Sequence, residues 1–145
     1  MSAVLDQSGI KGILPHRNPF LFVDEIVELA EGRRVVGVVL ASETGFFLRG
    51  MPIGTRHFPA TLLIEAMAQV GAILVLHAQE NQGRAIYFRS IERAQFHQPV
   101  PAGAKLRIEG EVIRLRGRMG TLAMKAFLDH APDTLVAEGV MSFAL

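Results

Sequence analysis

Residues 60–81 read ATLLIEAMAQVGAILVLHAQEN. Alanine, leucine, methionine, glutamate and glutamine dominate, and proline is absent, so the stretch predicts one long helix. Pro59 precedes the first turn, where a missing N–H costs nothing, and Gly83 supplies a stop beyond the end. The helix is apolar almost all the way round, which requires protein on every side of it. The flanking segments are strand-like. Residues 20–29 carry the β-formers Phe20, Phe22 and Val23, Glu31-Gly32 supplies a turn, and RVVGVVLA at 34–41 completes a hairpin. Beyond the helix, residues 85–91, 105–115, 119–128 and 134–143 read as four more strands. Arg107, Glu109 and Glu111 against Leu106, Ile108 and Val112 come close to the alternation of a sheet with one wet and one dry face. Two strands, one buried helix and four strands predict an α+β architecture, a curved antiparallel sheet wrapped around the helix, over one domain at 1–145.

Composition narrows the function. The chain has 145 residues, half of them hydrophobic and 20% charged, which excludes disorder. That much apolar material in a small domain points to surface shared between subunits. Fifteen Lys and Arg against 14 Asp and Glu give a net charge of +1, so no general affinity for nucleic acid or a membrane is expected. The absence of cysteine removes disulfides, thiolate catalysis and cysteine-based zinc sites. Residues 1–12 hold Asp6 and Lys11 and no continuous apolar run, unlike a secretory signal. Glu65 and Gln69 would be costly inside a bilayer. A cytoplasmic protein is expected.

Before the helix, residues 5–13 suggest a short helical turn, and Pro15 and Pro19 force extended backbone around 16–18. Residues 44–59 form the longest irregular stretch, with Gly45, Gly50, Pro52, Gly54 and Pro59, and long loops in compact domains tend to carry function. This loop delivers glycines to a helix N-terminus, whose free N–H groups can polarise a carbonyl.

Glu65 is the residue that does not fit an apolar helix. A buried carboxylate must be paired or protonated. It is either part of a polar stripe with Gln69, four residues on, or an active-site acid. Among the histidines, His57 sits in the glycine loop eight residues before Glu65 and can act as a base or face solvent. His77 and Glu80 are three apart, a much weaker pattern than a zinc-binding HExxH. His16, His97 and His130 read as strand-edge or turn residues without a visible partner. Arg49 and Arg56 flank the loop and could meet an anionic carrier.

Four motifs carry a resemblance. LPHRNPFLFVDEI (14–26), LLIEAMAQVGA (62–72), IERAQFHQPVPAG (91–103) and AEGVMSFAL (137–145) resemble the FabZ-type 3-hydroxyacyl-acyl carrier protein dehydratases over nearly the whole chain. The resemblance implies a hotdog fold, homodimers or hexamers built of dimers, and active sites at the dimer interface. It implies acyl thioesters on acyl carrier protein or coenzyme A as substrates, with no metal or organic cofactor. It assigns a histidine as base, Glu65 from the partner subunit as acid, and substrate-binding backbone around Gly50, Met51, Gly54 and Pro59. The departure lies at the base. The family has Gly-His-Phe-Pro-Gly, with its histidine fourteen residues before the glutamate; the ungapped match here is Gly50-Met51-Pro52-Ile53-Gly54, with Met51 in the histidine's place. A thioether is no proton acceptor of that strength. His57-Phe58-Pro59 follows six residues later and offers a relocated base. Three functions stay open: a dehydratase using Glu65 and His57, a hotdog thioesterase using Glu65, and a non-catalytic acyl-thioester-binding subunit paired with an intact one.

Overall fold

A computed structural model of the chain describes residues 3–42, 46–52 and 54–145. Thr44 and Gly45 of the predicted loop, and Ile53 of the Gly50–Gly54 match, lie outside the described residues. In chain order the elements are α1 (Gln7–Ile13), β1 (Glu25–Ala30), β2 (Arg34–Leu40), β3 (His57–Phe58), α2 (Ala60–Leu76), β4 (Tyr87–Phe96), β5 (Val100–Pro101), β6 (Lys105–Arg116), β7 (Met119–Leu128) and β8 (Ala131–Ala144). Six strands make an antiparallel sheet in the order β1-β2-β6-β7-β8-β4, and β3 pairs with β5 in a separate two-stranded piece. The chain is therefore α+β. No helix among the described residues is long and apolar enough to cross a membrane.

Helix α2 packs on β2, β6 and β7. Leu106 and Ile108 of β6, and Leu122, Met124 and Ala126 of β7, are buried at alternate positions, so one face of the sheet is dry. Gly37 of β2 sets how closely the helix approaches. A Cβ there would stand 2.9 Å from Val70 Cγ2 and 3.2 Å from Ile26 Cδ1, tighter than packed atoms tolerate.

Three boundaries differ most from the sequence expectation. The helix ends at Leu76 rather than at residue 81: Ala78 turns extended, a 3₁₀ turn covers Gln79–Asn81, and Asn81 Nδ2 donates to the Val75 carbonyl at 2.9 Å. A side chain thus takes up a terminal carbonyl that a continuing helix would have used. The first strand begins at Glu25 rather than Phe20. Gln69 bonds the Phe20 carbonyl and the Phe22 amide, and Gln7 bonds the Val23 and Asp24 carbonyls, so four of this segment's backbone groups are held by side chains, while the Phe20 and Leu21 amides bond the Arg17 carbonyl. β4 runs to Phe96 rather than to residue 91, continuing through a bulge between Glu92 and Gln95 where Arg93 takes φ 53°.

Candidate active site

The loop before α2 is more ordered than a bare loop reading suggests. A 3₁₀ turn covers Phe46–Gly50, and His57 and Phe58 pair with Pro101 and Val100. Phe58 anchors the segment: it meets the Phe47 ring edge-on at 4.8 Å and the Phe22 ring at 5.9 Å. Pro59 is the N-cap of α2 in extended conformation, and its carbonyl accepts from the amides of Leu62 and Leu63 at 3.0 Å each. No backbone acceptor takes the amides of Ala60 and Thr61 among the described residues. Among the described residues they are free donors at the positive end of a 17-residue helix.

Beside this helix start lies a mainly apolar groove of about 560 Å³, with walls that include Met51, His57, Phe58, Leu63, Phe96 and His97. Of the six residues singled out from sequence, Met51, His57 and Pro59 thus share one groove. Gly50 ends the 3₁₀ turn, and Gly54 takes φ 89°, which suits glycine; neither lines the groove. The His57 ring is exposed, and no hydrogen bond holds it among the described residues.

Glu65 is elsewhere. It lies two residues beyond groove-lining Leu63, about 200° further round the helix. There Gln69 Nε2 donates to Glu65 Oε1 at 2.9 Å, and His16 Nε2 lies 3.5 Å from the same oxygen. The Glu65 side chain is 29% exposed, so the fully sunken carboxylate expected from sequence is half-buried and partnered. The stripe with Gln69 is real, and it leaves the carboxyl reachable. Gln69 itself is 1% exposed and fully used: it also donates to Phe20 O and accepts from the Phe22 amide, both at 2.9 Å. Within one chain His57 and Glu65 do not share a groove.

Two histidines that looked partnerless have carboxylate neighbours. His16 has Glu65. His97 Nε2 is 2.8 Å from Glu138 Oε2 on β8, a residue 41 positions away that spacing along the chain could not pair with it. The exposed Arg49 and Arg56 stay at the loop, but a larger arginine cluster, Arg89, Arg93, Arg114 and Arg116, lines a separate groove of about 550 Å³ along β4 and β6. No group of three or more His, Cys, Asp or Glu able to hold a metal occurs among the described residues.

Fold comparison gives the class first. The chain superposes with a TM-score of 0.77 on a chain of the dehydratase heterocomplex ApeI:P from Xenorhabdus doucetiae, at 16% identity, covering 93% of this chain and 89% of that one. It superposes with a TM-score of 0.61 on a hot-dog-like protein from Thermanaerovibrio acidaminovorans, at 17% identity over 80% and 82%. The fold is of the hotdog type. Sequence comparison then gives the family. The FabA-like domain model matches residues 14–139. The 3-hydroxyacyl-[acyl-carrier-protein] dehydratase FabZ of Moorella thermoacetica is 41% identical over 141 residues, 97% of this chain and 96% of the relative. The chain belongs to the FabA-like family and sits among its FabZ-type members.

Proposed function

We propose that the chain removes water from a β-hydroxyacyl thioester to give the trans-2-enoyl thioester, as a lyase of fatty-acid biosynthesis. Acyl chains on acyl carrier protein are its substrates, and two copies share each site. The observation that carries this reading is the division of chemical parts over α2: a groove with free helix-end amides and His57 on one side, an accessible carboxyl on the other. Close FabZ relatives support the reaction. β4 supports the pairing: it bonds only β8 in the sheet, and Tyr87, Ile91 and Phe96 are exposed along it. An unpaired edge with apolar side chains accepts a second strand.

The groove residues then act as follows. Apolar walls take the acyl chain. The amides at the helix start donate to the thioester oxygen as negative charge develops on it. His57 takes the C2 proton, and the electrons of that bond form the C2–C3 double bond as the C3–O bond breaks. Glu65 of a second copy protonates the departing hydroxyl, which leaves as water. Proton exchange with solvent returns His57 and Glu65 to their starting states.

A second reading is favoured by Met51, which lines the groove at the position where family resemblance puts the base, beside a His57 ring that no hydrogen bond holds among the described residues. In it, this chain supplies Glu65 to a site whose histidine comes from a companion hotdog subunit. Crotonyl thioesters on carrier protein and on coenzyme A test both. Hydration by the purified chain, abolished in Glu65→Gln, supports the first reading. Hydration only after a histidine-bearing companion is added supports the second. Release of free thiol would replace both with a thioesterase.

A further inference from the structure

His16 is a histidine the reaction above leaves unused, on a segment held unusually firmly. Arg17 Nη1 donates to the carbonyls of Leu14 and His16 at 2.9 and 2.7 Å, and its Nη2 donates to Lys11 O at 3.1 Å. A few residues on, buried Gln69 grips both Phe20 and Phe22. The Phe20 ring stacks on the His16 ring with centroids 6.3 Å apart and 22° between planes. The imidazole is thereby presented to Glu65 Oε1, the oxygen that Gln69 also contacts.

The hydrogen-bond inventory fixes where protons sit. His16 Nδ1 is buried and has no partner among the described residues. A proton placed there would be a buried donor with no acceptor, an expensive arrangement. The proton therefore belongs on Nε2, the nitrogen that faces Glu65. Gln69 Nε2 then donates to Oε1, His16 Nε2 faces the same oxygen across 3.5 Å, and no hydrogen bond occupies Oε2 among the described residues.

We infer that His16 and Gln69 are positioning residues that divide the labour of the Glu65 carboxyl: Oε1 is the anchored oxygen, and Oε2 is the working one that carries and delivers the proton. An acid anchored this way cannot present the wrong oxygen. With Oε1 accepting from Gln69 and faced by His16 Nε2, the acidic proton resides on Oε2, and the carboxyl cannot flip without losing both contacts. The catalytic part rests on the dehydratase reading; the tautomer and the anchoring do not.

The test has two arms. Nitrogen-15 spectra of histidine-labelled protein, with His16 assigned by its loss in His16→Asn, report the tautomer without any turnover. The Nε2–H form is expected, and an Nδ1–H form overturns the inference. For turnover, His16→Phe keeps a flat ring without a donor. A loss of about 10-fold to 100-fold in kcat with KM little changed is expected, with partial recovery in His16→Gln and an unchanged unfolding midpoint. Full kcat in a folded His16→Phe protein overturns the positioning role. A correct tautomer in a wild-type protein that turns over no enoyl or hydroxyacyl thioester, alone or with a companion chain, sinks the dehydratase reading and with it the working-oxygen role, while leaving the anchor standing.

Discussion

The two sides of helix α2 are built in opposite ways. On the Glu65 side every polar group of Gln69 is engaged, Gln69 bonds a carboxyl oxygen that His16 also faces, and Arg17 ties down the backbone that carries His16. On the groove side, among the described residues, the His57 ring is exposed and unheld, the helix-end amides are free, and the lining is largely apolar. A finished corner and an open groove in the same chain are what a site split between two copies requires. The acid is pre-set in its own subunit, and the groove is completed by substrate and by the opposite chain.

The largest effect expected on this contrast comes from Glu65→Gln. Loss of the acid should lower kcat by about 10²-fold to 10⁴-fold, measured by hydration of a crotonyl thioester, with the fold intact by circular dichroism. Next comes Gln69→Leu, which leaves the Phe22 amide and the Phe20 carbonyl without their partner. It should destabilise the protein by about 2–4 kcal/mol in denaturant unfolding, because each part-buried polar group that loses its Gln69 bond costs about 1–3 kcal/mol. A drop below 0.5 kcal/mol would mean that the corner is not rigid. On the groove side, Met51→His should raise turnover about 10-fold by supplying a base where family resemblance expects one, at little change in stability because Met51 is exposed. No gain would place the working base firmly elsewhere.

The smallest effect lies away from both sides. Burial holds the Asp24 carboxyl above its ordinary value of 3.8, against the opposing bond from the Leu40 amide at 2.6 Å. With the folded value raised, its contribution to stability is fully present below about pH 4 and is lost as pH rises through the folded value. Asp24→Asn should therefore gain under about 0.5 kcal/mol at pH 7, since the carboxyl is only partly withdrawn from solvent and remains screened. At pH 3.5 the gain should vanish, as unfolding curves at the two pH values would show.

The layout of helix and strands was legible because period-two burial in residues 105–128 and the helix-forming run from residue 60 are local signals. Glu65 stood out for the same reason: one charge in an apolar run needs no tertiary knowledge to be noticed. What could not be read locally was partnership. His16 is 49 positions from Glu65 and His97 is 41 from Glu138; only folding brings each pair together. The Phe20–Asp24 segment departs from a strand because, although its aromatic residues are β-formers, glutamine side chains take up four of its backbone groups. The helix end misled because Asn81, a poor signal along the chain, reaches back to cap Val75.

The split site is tested most directly by complementation. Glu65→Gln and His57→Ala chains, each inactive alone, are co-expressed and purified as a mixed population. If one chain gives the base and the other the acid, random pairing makes half of all dimers hybrid with one intact site each, and about a quarter of wild-type activity returns. A mixture as inactive as its two components would contradict the account.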